Sequence, residues 1–587
     1  ENKIMKKLFC LLMVLVSAFA FVACKEPENP TVELKSVSVV TPRNVARVQI
    51  GKTLQCSYKL NPTNATVEGN ATWAVNKEDL GSITETGLFT AKAEGLVKIT
   101  VTIGGVTGSK NIQVTTEAVE VYPDLGGYSI KIAQATIAMG ETDPNYTEDT
   151  KAKYGYYGGP DRQARIDAWA SVEEDFNCDL KVVEYPADAG WGPARWNYIA
   201  NQARLDTPEY DLYTIPDAQV PELVSANALV DLTNLYNTYG NDFMTTLTKT
   251  AGSYQGRLYT INSTEEEIYN ILGYNVGLWE KVHEYDATID EPAKIFNDGK
   301  WDFSTFIDYA KKVQDALNSL YPEQGYYALS GWPTYYYVGM VDRNGTGVAD
   351  IAAKKVHILG EDETAAGNAL KEICDYGAFD TAFSVDGGVV SWSNGKALFN
   401  TGDLWFIGTN QDRWNADLWG EGELTRYGFV PFPAPDGMSS LEHTYVGLTS
   451  EACWVMAAGR EGYYKGYGEE CTTENIYYAV ATYWQRVKSN YKNAASYDQE
   501  EDLTSTAQKK FATEESVKAF VTVSMNLKRD GFYDCMTSNS NTVCATYNSD
   551  LDIAIRNYVK GAGAATWAEA VGTLQDSLND SITKAFG

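Results

Sequence analysis

The chain has 587 residues and a formal net charge of -30, with 44% apolar residues, 39 Tyr and 14 Trp. That apolar and aromatic content excludes a disordered chain, and the length exceeds the roughly 250–300 residues at which a single core stops growing. The acidic balance excludes nucleic acid as a partner, because a polyanion needs a basic footprint, and it disfavours docking on an anionic membrane face.

The first segment is basic at Lys3, Lys6 and Lys7, then almost wholly apolar from Leu8 to Val22, and it ends at Ala23 before Cys24. An apolar run of about 15 residues is short of the about 20 a spanning helix needs, so residues 1–23 read as a secretory signal peptide. Their removal makes the net charge two units more negative, since Glu1 leaves with the three lysines. Phe21-Val22-Ala23-Cys24 resembles a bacterial lipobox. This implies that Cys24 carries a thioether-linked lipid, with palmitate-type acyl chains each contributing about 0.8 kcal/mol per buried CH₂. Residues 24–33, with Pro27 and Pro30 among polar neighbours, suit a lipidated tether. No later run reaches roughly eighteen apolar residues, so the lipid is the expected membrane contact.

From Leu34 to Thr116 the pattern changes to period two. Val37 and Val39, then Leu54, Cys56, Tyr58 and Leu60, then Val97, Ile99, Val101 and Ile103, then Ile112 and Val114 alternate with polar residues. Such runs are strands with one buried face. Asn61-Pro62-Thr63-Asn64, Gly69-Asn70 and Gly104-Gly105 mark turns between them. Trp73 is expected to anchor the core. Two packed sheets are needed to bury these faces. The phrases Gly51-Lys52-Thr53-Leu54-Gln55, Leu60-Asn61-Pro62, Ala71-Thr72-Trp73 and Gly87-Leu88-Phe89-Thr90-Ala91 resemble the bacterial immunoglobulin-like group 2 family. The resemblance implies an all-β sandwich over 34–117, used as a spacer or as an adhesive module.

From about Leu125 the rhythm becomes strand, loop, helix. Ile130, Ile132 and Ala133 form a strand, and Ile166, Trp169, Val172 and Phe176 recur at helical steps. Leu180, Val182 and Val183 form a strand, Ile199, Ala203 and Leu205 a helix, and Tyr210, Leu212, Tyr213 and Ile215 a strand. This alternation predicts a parallel sheet with helices on both faces and sites beyond the carboxyl ends of the strands.

Several phrases in order resemble the extracellular solute-binding protein family 1, the sugar-type lipoproteins of ABC importers. They include Pro208-Glu209-Tyr210-Asp211-Leu212, Ala228-Leu229-Val230-Asp231-Leu232-Thr233, Gly256-Arg257-Leu258-Tyr259, Trp301-Asp302-Phe303-Ser304, Asn394-Gly395-Lys396-Ala397-Leu398-Phe399 and Tyr427-Gly428-Phe429-Val430-Pro431. The resemblance implies a two-lobed α/β fold of the type II periplasmic-binding-protein kind over 125–587. Sequential order places lobe one at about 125–262 and 394–450, and lobe two at about 263–393 and 451–587. It further implies a monomer, extracytoplasmic and lipid-anchored, that closes on a small solute and hands it to ABC permease subunits. A surface protein that adheres to a host or polysaccharide is the other reading.

A sugar needs flat rings and polar groups in the ring plane. Trp332 and Tyr335 lie in a Gly- and Pro-bounded stretch, and Trp405 stands near Asp403. Trp191 sits between Gly190 and Gly192, and Glu265 and Glu266 follow an expected strand end. Tyr445 and Trp454 are further candidates. No catalytic set emerges: His283, His357 and His443 form no H-E-x-x-H, and neither a G-x-S-x-G elbow nor a G-x-x-x-x-G-K-[ST] loop occurs. No cofactor is expected. No cysteines have the two-residue spacing of zinc thiolates. Apart from Cys10 and Cys24, the nine cysteines are Cys56, Cys178, Cys374, Cys453, Cys471, Cys535 and Cys544, an odd set. The spacings Cys535–Cys544 and Cys453–Cys471 each allow a local disulfide, and the sequence does not choose between them.

Overall fold

Alternating burial builds the N-terminal unit, which ends at Tyr122. In Ser36–Val40 only Val37 and Val39 point inward, and in Gly95–Ile103 the inward set is Val97, Ile99, Val101 and Ile103. The computed structural model describes residues 32–41, 45–117, 122–135, 138–146, 159–240, 243–261, 268–384, 389–404, 407, 426–448, 452–494, 496–536 and 549–586. Cys24, Glu265, Glu266, Trp405 and the signal segment lie outside them.

A four-stranded sheet orders Arg47–Gln49, Val106–Thr115, Gly95–Ile103 and Thr72–Val75. A three-stranded sheet of Thr53–Gln55, Leu88–Ala91 and Gly81–Ile83 and the pair Ser36–Val40 with Ser57–Asn61 complete the immunoglobulin-like sandwich. Phe89, Val97, Ile99, Val101, Ile112 and Val114 are its fully buried centre. Trp73 packs only partly buried against that centre, and Tyr58, expected inward, is exposed. The tilted contact between their rings, centroids 6.4 Å apart, therefore lies toward the surface.

The second unit, from Pro123 onward, has two principal sheets. The first orders Cys178–Glu184, Tyr128–Gln134, Leu212–Ile215, Cys453–Met456 and Thr260–Ile261. Its first three strands are parallel, with Ile130 beside Leu180 and Ile132 beside Leu212, as the alternation predicts. Cys453–Met456 runs antiparallel to both neighbours. The second sheet orders Tyr327–Leu329, Ala397–Asp403, Asn270–Asn275 and Tyr427–Val430. Its central strands are buried along their whole length, because helices cover both faces. The apolar interior divides accordingly. One cluster centres on Leu272, Tyr274, Trp301 and Phe399, and another on Tyr185, Ile199, Tyr213 and Val455. This is the two-lobed α/β periplasmic-binding-protein fold.

Sheet membership reverses two of the lobe assignments drawn from chain order. The strands Ala397–Asp403 and Tyr427–Val430, within 394–450, belong with Asn270–Asn275, whereas Cys453–Met456 belongs with Leu212–Ile215. The helix Thr473–Asn490 packs with the first sheet's helix Arg162–Phe176, where Trp169 meets Tyr483 edge-on at 5.6 Å. The reason is that a strand joins whichever sheet offers a matching edge, however far along the chain that edge lies. Leu205, expected on a buried helical face, is instead an exposed helix cap. Cys535 is disulfide-bonded, while neither Cys453 nor Cys471 is in a disulfide, so the second local pair does not form. Among the described residues no helix is long and apolar enough to cross a membrane.

Candidate ligand-binding site

At the second sheet, strand pairing sets Asn270 opposite Asp403. Just before that strand, the Tyr269 hydroxyl donates to Asp403 Oδ2 at 2.8 Å, and the Leu404 amide donates back to the Tyr269 carbonyl. Asp403 is buried, so its carboxylate is held in one orientation at a strand end. Beside it the parallel strand Tyr327–Leu329 ends at Ser330, whose hydroxyl bonds the Phe399 carbonyl at 2.9 Å. Gly331 follows at φ 107°, and a Cβ there would lie 2.7 Å from Asn400 Oδ1. Only glycine permits this approach.

Trp332 comes next, and it is not an open platform. Its Nε1 donates to Asp552 Oδ1 at 2.7 Å, and the Thr334 hydroxyl donates to the same oxygen at 2.6 Å. Arg556 bonds the other oxygen of Asp552 and lies 4.6 Å over the Trp332 ring. The expected loop is in fact the start of a helix, Pro333–Asp342, in which every residue, Tyr335 included, is buried. Tyr445 is half-buried and stacks on His443 at 5.2 Å. It borders a cavity of about 20 Å³ with Arg343 and Asn270, room for one water and not for a sugar. Trp454 lies within the first sheet's strand Cys453–Met456 and stacks on Tyr483, so it serves helix packing.

At the first sheet, Leu212–Ile215 runs out into the turn Asp217–Gln219. The Asp217 carboxylate is bonded to the Tyr533 hydroxyl, which burial and then that charge push well above the ordinary phenol range. Gln219 is fully buried, and among the described residues neither its amide oxygen nor its nitrogen has a hydrogen-bond partner. The edge strand Cys178–Glu184, one strand further along the sheet, leads into Tyr185, whose hydroxyl donates to the Thr214 carbonyl at 3.0 Å. A loop then carries Trp191, 54% exposed, to the helix Pro193–Arg204. Arg195, in that helix's first turn, is 3% exposed and lies 4.5 Å over the Tyr185 ring and 4.9 Å over the Trp191 ring. Burial lowers its pKa, opposed only by Tyr185.

The structure thus places Asp403 and Trp191 at the carboxyl ends of two different sheets, and Trp332 behind one of those ends. Sequence reasoning missed Asp217, Gln219, Tyr269 and Arg195. Three of these four adjoin a strand end, a signal that the strand rule could have used. Such an arrangement can hydrogen-bond hydroxyls from two sides and stack a ring from one. Among the described residues no group of three or more His, Cys, Asp or Glu could hold a metal ion.

A family model described as bacterial extracellular solute-binding protein matches residues 168–462, half of the chain. Another, bacterial Ig-like domain (group 2), matches 34–114. Among solved structures, the GacH receptor of Streptomyces glaucescens, described in complex with acarbose, is 15% identical with a TM-score of 0.44. A cyclic alpha-maltosyl-1,6-maltose binding protein from Arthrobacter globiformis is 12% identical with a TM-score of 0.48. UgpB from Mycobacterium tuberculosis, in complex with glycerophosphocholine, is 13% identical with a TM-score of 0.45. Each comparison covers 78% of this chain and 99% of the other. No curated protein matches the chain.

Proposed function

The chain belongs to the bacterial extracellular solute-binding proteins, and on that premise we propose that it captures a sugar or oligosaccharide between its two lobes for an ABC importer. The observation that carries the reading is the pair of polar strand ends. Asp403 and Tyr269 stand on one lobe, and Gln219 and Asp217 on the other. Hydroxyls of a sugar offer donors and acceptors to both sets at once, and each charge-assisted bond to a buried carboxylate is worth about 1.5–3 kcal/mol. Trp405 and the acids Glu265 and Glu266, a few residues along the chain from Asp403 and Ile261, complete the proposed set with Trp191.

Capture works by hinge closure: contacts formed only when both lobes engage the solute shift the population from open to closed. The Asp217–Tyr533 bond, present without solute, already ties the end of the first sheet to the strand Gly531–Tyr533, which pairs with Val446–Leu448 on the segment leading from the second sheet back to the first. Residues 1–23 act as signal peptide, Cys24 carries the lipid, 24–33 form the tether, and 34–117 space the monomeric binding unit from the membrane.

Thermal-shift screening of the full chain against sugars tests the reading. A binding sugar is expected to raise the melting temperature, and Trp405→Ala and Gln219→Ala each to weaken its binding at least tenfold. A sugar that binds both variants as tightly as wild type would move the site elsewhere. If no sugar binds, the carbohydrate assignment is wrong.

A further inference from the structure

Arg195 poses an electrostatic problem that the fold does not solve. It is 3% exposed, yet among the described residues it has neither a carboxylate partner nor a hydrogen bond from its guanidinium, and Nε is a buried donor without an acceptor. Its neighbours are the faces of Tyr185 and Trp191. Ring faces attract a cation, but they supply no oxygen to a guanidinium's five N–H donors. A buried charge of this kind is ordinarily paired, because leaving it alone costs several kcal/mol. Of the two other deeply buried arginines, Arg460 is paired with Asp211, and Arg343 gives its terminal nitrogens to the carbonyls of Ser440 and Tyr445 although its Nε also lacks an acceptor. Arg195 alone of the three has no oxygen partner for its guanidinium among the described residues. Charged neighbours are plentiful in a chain of net charge -30, so the isolation of Arg195 is a matter of placement and not of a shortage of acids.

Its place in the fold supplies the reason. Arg195 follows the loop at the carboxyl end of Cys178–Glu184, the same edge of the sheet that carries Asp217 and Gln219 beyond Leu212–Ile215. It stands in the first turn of a 12-residue helix, where free backbone N–H groups add positive potential. Trp191, largely exposed between Gly190 and Gly192, is the cover over the guanidinium.

We infer that Arg195 is the anchor for a carboxylate on the ligand, and that the captured sugar is a uronic acid or an oligosaccharide containing one. This rests on the sugar-capture reading above. A planar carboxylate matches the guanidinium fork with two parallel hydrogen bonds, supplies the missing counter-charge, and leaves Trp191 free to lie on a sugar face. The net charge of -30 repels anions overall, so the unpaired guanidinium of Arg195 is what would decide a preference for an acidic sugar.

Calorimetry on the full chain tests this with matched pairs, digalacturonate against galactobiose and the gluco- and manno-configured equivalents. The acid of at least one pair is expected to bind wild type tenfold or more tightly than its neutral partner. Arg195→Gln is expected to abolish that ratio, and Arg195→Lys, which keeps the charge without the fork, to retain part of it. Removing an unpaired buried charge is expected not to lower the melting temperature of Arg195→Gln. If that variant fails to fold, the reduced ratio in Arg195→Lys carries the test. Neutral sugars binding as tightly as their acids, or an acid preference surviving in Arg195→Gln, would overturn the anion assignment and leave sugar capture standing. No binding by any member of the panel would overturn both.

Discussion

Asp530 shows how one side chain ties a loop to a helix. It accepts from the Thr444 amide and hydroxyl at 2.8 and 2.7 Å and from Arg529 through both carboxylate oxygens. Burial pushes its pKa up, but the bonds from Arg529 and Thr444 outweigh that and hold it at about 2. A depressed carboxyl stabilises the fold above its unfolded value, near 3.9, and that contribution is lost as pH falls through about 2. Asp530→Asn is therefore expected to cost about 1–3 kcal/mol at neutral pH, and its deficit to shrink between about pH 4 and pH 2. Urea unfolding across that range measures both. A deficit independent of pH would assign the effect to packing and not to charge. At the same scale, Trp332 was legible as a ring in a Gly- and Pro-bounded stretch, but its bond to Asp552, 220 positions away, was not.

Among the elements, the helix Phe303–Leu320 carries the clearest local signals. Asp302 accepts from the Thr305 amide at 2.9 Å as an N-cap, and Phe303, Phe306, Ala310, Val313 and Leu317 form one buried face. Loss of the cap in Asp302→Ala is expected to cost about 1 kcal/mol, read as a lower urea midpoint with unchanged slope. An unaltered midpoint would mean that packing alone sets the helix start. Caps and 3.6-residue spacing are properties of neighbours in the chain, so this helix could be anticipated from Trp301-Asp302-Phe303 onward. The short strand Gly531–Tyr533 could not. Three residues carry no periodicity, and its pairing with Val446–Leu448 is a long-range choice.

For the whole molecule, the separate apolar clusters of the two lobes provide the mechanical condition for hinge motion: each half keeps its own core when the other moves. Saturating sugar is expected to reduce the radius of gyration measured by small-angle scattering. In Arg195→Gln that compaction is expected to require as much of the acidic sugar as of its neutral partner, whereas wild type requires less of the acid. An unchanged radius under saturation would rule out closure as the response.

What the amino-acid sequence determined by itself was everything local. It marked the period-two strands of residues 34–117, the alternation that makes Tyr128–Gln134, Cys178–Glu184 and Leu212–Ile215 parallel, and the runs of family phrases. Tertiary structure alone decided which sheet receives Ala397–Asp403 and Cys453–Met456, which rings are already claimed, and which buried cation has no partner. Periodicity and capping are set within a few residues of chain. Edge pairing and desolvation depend on what arrives from hundreds of residues away, and a linear pattern does not encode that encounter at any one position.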